Sequence, residues 1–129
     1  MAALTWLVIS GLHTGKMSAV GAATGAVAGL VAITPACGWV DVGGALMIGL
    51  SASVVCYLCA IGMEKSGVDD ALVVFGVHGI GGAWGALMTG VFASEAIGGV
   101  KGLLEGNGVI VLEQLVGIVA TFLYLYLIH

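Results

Sequence analysis

The stretch from Val74 to Gly90, "VFGVHGIGGAWGALMTG", holds one imidazole and no other ionisable group in a strip of glycines and large apolar side chains. Such a run belongs either to a protein core or to a membrane, and the rest of the chain decides between them. Of 129 residues, 60% are hydrophobic and only 8% are charged, where an ordinary soluble domain is about a quarter charged. The mean hydropathy is +1.21. Three Lys+Arg and seven Asp+Glu supply too little polar surface to coat a water-soluble globule. The composition therefore predicts an all-α integral membrane protein. A net charge of −4 offers no basic patch, which argues against nucleic acid as a partner. The 23 glycines are spread through apolar segments, where small residues let helices approach closely.

Five apolar segments emerge outward from this stretch, over about 1–13, 18–37, 42–63, 71–93 and 109–128. Crossing the hydrocarbon takes about 20 apolar residues. Segments two to five meet that length and the first does not. A half-helix at the bilayer centre would leave backbone groups unsatisfied, so the expectation is a piece of a longer protein. Lys16 and Lys65 lie in the first and third breaks. One crossing per segment puts those breaks on a common side, which the excess of positive charge makes cytoplasmic. Lys101 falls on the opposite side, among Glu95 and Glu105.

Segment two carries Gly21, Gly25 and Gly29, a small-residue stripe on one helix face, and segment four carries Gly81 and Gly85. Both predict close helix packing. Thr34-Pro35 marks a helix end, because proline removes a donor and restricts the preceding residue. Asp41 is placed to cap the third segment. Asp69 and Asp70 stand just before the fourth, where a carboxylate meets orphan N–H groups and the positive dipole end. Paired carboxylates also serve acid–base chemistry, but neither a nucleophile nor a metal-ligand set accompanies these two. Cys56 and Cys59 form a C-x-x-C within an apolar run, with no second ligand pair. They read as packing residues, with redox or metal chemistry as the alternative. The sequence thus calls for no enzyme, no metal and no cofactor.

His78 lies eight residues past Asp70, about 12 Å along a helix at the usual rise. Ionisable groups at such depth are costly and by default functional. The bland alternative is an imidazole hydrogen-bonded to a neighbouring helix. Gly76, Gly79, Gly81 and Gly82 favour function, since they clear space around the ring. A neutral imidazole offers one donor and one acceptor. It can pass a small polar molecule or a proton along an apolar path while discouraging bare cations.

With these residues in view, "DDALVVFGVHGIGGAWGALMTGVFA" resembles the tenth-helix signature of the ammonium transporters, the Amt/Mep/Rh family. "GAATGAVAGLVAITPACGWV" followed by "VGGALMIG" is similar to the family's eighth and ninth helices, and "GKMS" to the break after the seventh. The resemblance covers nearly the whole chain, from mid seventh to eleventh helix, and is closer to the Amt/Mep branch. It implies part of an eleven-helix fold built from two inverted five-helix repeats plus a last helix. It further implies a homotrimer, one hydrophobic pore per subunit, and a pair of pore histidines, of which His78 matches the second. Asp70 matches the capping aspartate, Val74 an apolar pore-lining position, and Thr34 a threonine beside the pore. Val73 departs from the pattern, where many members carry an acidic residue. The implied activity is transport of ammonium or ammonia across the cell membrane, with these 129 residues inactive alone. A PII-type soluble protein is an implied regulator. The alternative reading is an ammonium-sensing or assembly module of a signalling protein.

Overall fold

The computed structural model describes residues 1–67 and 73–128. Every regular element among them is helical. In chain order these are α1 (Ala2–Thr14), α2 (Ala19–Ile33), α3 (Val42–Lys65), a π-helical segment (Phe75–Ile80) running into α4 (Gly81–Phe92), a short α5 (Glu95–Gly98), a 3-10 turn (Leu103–Glu105) and α6 (Val109–Leu127). By length and composition, α3 and α6 are each able to cross a membrane. Asp69 and Asp70 lie outside the described residues, and so does His129.

Local chemistry sets the boundaries. Gly15 closes α1 in the left-handed region, at φ 71°, and donates its N–H to the Gly11 carbonyl, which favours a residue without Cβ. Ser18 caps α2 by accepting the Gly21 N–H at 2.9 Å. Asp41 caps α3 through Oδ1, which accepts the Gly44 N–H at 2.6 Å. Helix α2 is shorter than the apolar run 18–37. It stops at Ile33 because Pro35 cannot continue the ladder. The chain then turns twice, with Ala36 N–H bonding Ile33 O and Trp39 N–H bonding Ala36 O. The fourth segment also departs from a plain helix over 71–93. Within its described part, Val73 is not helical and Phe75–Ile80 forms a π turn.

Helices α1, α2 and α3 pack as a three-helix layer, and α4 covers α2 and α3. The glycine stripe of α2 faces α1. A Cβ at Gly25 would stand 2.5 Å from Trp6 Cβ, one at Gly29 2.6 Å from Ala2 Cβ, and one at Gly21 3.4 Å from Trp6 Cδ1. Trp6 fills that groove and meets Tyr57 of α3 edge-on, with ring centroids 5.2 Å apart. Ser53, fully buried in α3, donates to the Ala2 carbonyl at 2.9 Å. That bond gives the buried hydroxyl its partner. His13 pairs through Nδ1 with the Tyr57 hydroxyl at 3.0 Å. A second cluster joins Ala32, Ala36, Val40, Ile48 and Ala52 to Trp84, Met88 and Phe92 of α4. Trp84 fastens α4 to α3 by donating its indole N–H to Ser51 Oγ at 3.0 Å.

The break between α4 and α6 is an ordered cap. Glu105 accepts the Ser94 hydroxyl at 2.8 Å and the Glu95 N–H at 2.9 Å, while Lys101 pairs with Glu95 at 3.2 Å. The missing side chain of Gly98 makes the seat for Trp39, and Ser94 N–H donates to Trp39 O at 2.7 Å. The α2–α3 and α4–α6 connections therefore sit together on one end of the bundle. The Glu95 N–H bond, then the Ser94 hydroxyl, then the charge of Lys101, hold the Glu105 carboxyl below the ordinary glutamate range. A depressed folded-state pKa makes the cap fully stabilised above the free carboxyl's value and loosened as pH falls through the lowered one. In an acid titration by NMR, the Glu95 amide resonance should shift with a midpoint below that of an unpaired glutamate. A midpoint at or above that value would contradict the clamp.

Candidate functional site

His78 sits within the π-helical segment, and its ring is exposed on the bundle side that α6 flanks. A half-open groove of about 450 Å³ separates that face from α6. His78, Gly79, Gly82, Ala83 and Ala86 line one wall, and Gln114, Gly117, Ile118, Thr121, Phe122 and Leu125 line the other. Close approach at one end fixes the geometry. A Cβ at Gly90 would lie 3.1 Å from Val111 Cα, so α4 and α6 touch near the capped end. From there the groove runs to the level of His78 between the small residues of the His78 wall and the larger, mostly apolar side chains of α6.

The glycines around His78 divide into two sets. Gly79 and Gly82 line the groove. Gly76 and Gly81 are buried on the other side. A Cβ at Gly81 would stand 3.0 Å from Cys56 Sγ, and one at Gly76 would lie 3.8 Å from Cys59 Sγ. The expectation that all four clear room for the ring is therefore corrected: Gly81 makes room for α3, and Gly76 is buried beside it, with Cys59 at ordinary contact distance. This also shows what the C-x-x-C does. Cys56 and Cys59 are free thiols on the α3 face that receives these glycines. Gly85 makes the tightest approach, where a Cβ would fall on the Ala32 carbonyl of α2.

Val74 precedes the π turn and is 49% exposed, and it is not among the residues that line the groove. Thr34 ends α2, where its hydroxyl donates to Leu30 O at 2.7 Å. It does not line the groove beside His78, so the structure does not bring Thr34 and His78 into one cavity. The His78 imidazole makes no hydrogen bond to a described residue. Among the described residues no cluster of three or more His, Cys, Asp or Glu could hold a metal ion.

Two features of the site escape the sequence patterns. Gln114 lines the groove, half-buried, from within the apolar, membrane-length α6. Its signal was a lone carboxamide in a membrane-length run. Val73 adopts φ 53°. A β-branched side chain is an outlier there, at a cost of roughly 1–3 kcal/mol. No pattern of residue types announces that.

A strongly apolar chain whose described regular elements are all helical, two of them long and apolar enough to cross a membrane, has the make-up of an integral membrane protein. The model of the Ammonium Transporter Family matches residues 1–129, and the chain belongs to that family, a family of membrane transporters and not of enzymes. It is 52% identical over 124 residues to an ammonium transporter of Aquifex aeolicus, covering 95% of this chain and 29% of that protein. It is 43% identical over 128 residues to the ammonium transporter Amt1 of Archaeoglobus fulgidus, covering 99% of this chain and 32% of that one. The crystal structure of Saccharomyces cerevisiae Mep2 superposes with a TM-score of 0.86 at 35% identity, over 92% of this chain and 28% of Mep2. The chain thus spans about three tenths of the length of these relatives.

Proposed function

We propose that this chain forms part of the wall of a pathway that carries ammonium or ammonia across the cell membrane, with His78 as its proton-handling group. The observation that carries this reading is the unpartnered imidazole facing a groove of small and apolar residues. A neutral imidazole accepts at one nitrogen and donates at the other. An ammonium ion that gives its proton to the accepting nitrogen leaves as ammonia, which an apolar path tolerates, while the opposite nitrogen releases a proton onward. The bare cation gains nothing from the surrounding methyl and methylene groups. Val74 extends the apolar lining one turn from His78, and Thr34 offers oxygen lone pairs where the α2–α3 connection begins. The connections bearing Lys16 and Lys65 face the cytoplasm. The contact of Trp39 with Gly98 gathers the other two connections at one end of the bundle, which supports the pairing of these two at the other end, and their lysines assign that end to the cytoplasm.

The groove is open on one side, so conduction requires helices besides those described. The test grafts residues 1–129 in place of the matching stretch of the Aquifex aeolicus relative and measures ammonium-dependent current in liposomes. The graft should conduct and this chain alone should not. A current from the chain alone would refute the need for further helices. A graft that assembles like its parent yet stays silent would refute the proposed pathway.

A further inference from the structure

We infer that the π-helical segment Phe75–Ile80 is a positioning device for His78, carrying the imidazole off the core face of its helix and into the groove against α6. Positions 78, 81 and 85 are spaced i, i+3, i+7, which in a plain α-helix puts them on one face. Gly81 and Gly85 are buried on that face, against Cys56 of α3 and Ala32 of α2. A continuous α-helix would therefore direct the His78 ring towards α2 and α3. The structure instead has His78 lining the groove, while its neighbour Val77 is 2% exposed in the cluster of Trp6, Cys56 and Tyr57.

The π turn accounts for the difference. It takes about one residue more per turn, so each residue advances roughly 80° rather than 100°. Over the three steps from His78 to Gly81 the shortfall is about 60°. That rotation moves position 78 from beside Gly85 towards Gly82 and Ala86, and brings Val77 into the core. Gly76 leaves room for the Val73 side chain, since a Cβ there would stand 3.1 Å from Val73 Cγ1, with Ala60 N and Cys59 Sγ of α3 at 3.8 Å. Val73, at φ 53°, holds the chain entering the segment away from helical geometry. The bearing on transport rests on the reading of His78 above. The placement itself is a matter of geometry and is tested as such.

A π turn holds one residue more than the α-helix that would replace it, and the side on which that residue is removed decides where position 78 points. Deleting Gly76 lets the turn anneal with position 78 in α register to Gly81, facing the core. Deleting Gly79 lets it anneal with position 78 one step closer to Gly81, still facing the groove. The test uses His78→Cys in a background of Cys37→Ser, Cys56→Ala and Cys59→Ala, reconstituted in lipid and labelled with a small methanethiosulfonate. Thr121→Cys, on the opposite wall, reports whether the bundle is intact. Labelling at 78 should slow by about tenfold or more on deletion of Gly76 and change less than about twofold on deletion of Gly79, as expected where exposure sets thiol reactivity. Equal rates in both deletions, or protection by loss of Gly79 alone, would overturn the inference. Should a deletion disturb Thr121→Cys labelling, the unaltered chain decides by solid-state NMR in bilayers. Cross-peaks from the His78 ring to Phe122 uphold the placement, and cross-peaks to Ala32 overturn it.

Discussion

Replacing Gly85 with leucine is expected to cost the bundle about 3 kcal/mol, the upper end of the usual range for overpacking. A Cβ at this position falls on the Ala32 carbonyl, and Ala32 Cα is 2.8 Å away. Those atoms belong to backbone, which cannot rotate aside as a side chain can. Ala32 is fully buried, so α2 has no free volume to retreat into. In lipid the tails are as apolar as the side chains, and close packing is what holds helices together. Separating α2 from α4 therefore removes contacts that no hydrophobic gain restores. Gly81→Ala should cost less, because its Cβ meets only a thiol, Cys56 Sγ, at 3.0 Å. Gly21→Ala should cost least, with only Ser18 Oγ and the Trp6 ring edge nearby, at 3.1 and 3.4 Å. Unfolding midpoints in mixed micelles should fall in the order Gly85→Leu, Gly81→Ala, Gly21→Ala, from lowest to highest. An undisturbed midpoint for Gly85→Leu would contradict the packing described.

Replacing His78 with alanine should reduce ammonium-dependent conduction by the graft at least roughly a hundredfold, the low end of what a positioned proton-transfer group contributes. Alanine removes both the acceptor and the donor and enlarges the groove. Polar capacity on the opposite wall remains with Gln114 and Thr121. Thr121 already gives its hydroxyl proton to Gly117 O at 2.8 Å, and Gln114 does not titrate. Neither can take a proton from ammonium. The change removes an exposed ring from a groove wall rather than a buried one, so the fold should survive and the loss should appear in transport alone.

Much of this was legible in the sequence for a simple reason. Apolar length and glycine spacing are properties of helices taken singly. The 3.6-residue period put Gly21, Gly25 and Gly29 on one stripe, and the structure places Ala2 and Trp6 against it. Pro35 and Asp41 announced a helix end and a helix start through local backbone chemistry. What stayed hidden depends on departures from that period or on partners distant in sequence. The π turn broke the phase on which the grouping of Gly76, Gly79, Gly81 and Gly82 rested, so two of the four face α3. Nothing in "SEAIGGVKGLLEGNG" reveals that Glu105 reaches back to Ser94 and Glu95, because that clamp joins residues ten and eleven positions apart across an irregular loop. The role of Gln114 beside the His78 groove needed α6 to be folded back along α4, which Gly90 permits only in three dimensions.

On the proposed reading, His78 handles the proton of ammonium in an otherwise apolar path. The most direct test compares the graft carrying His78 with the same graft carrying His78→Ala, in liposomes of equal protein content, driven by an inward ammonium gradient. Current should rise with ammonium for the first and drop to about a hundredth or less for the second, with both proteins eluting alike from a sizing column. Equal currents from the two would contradict the claim.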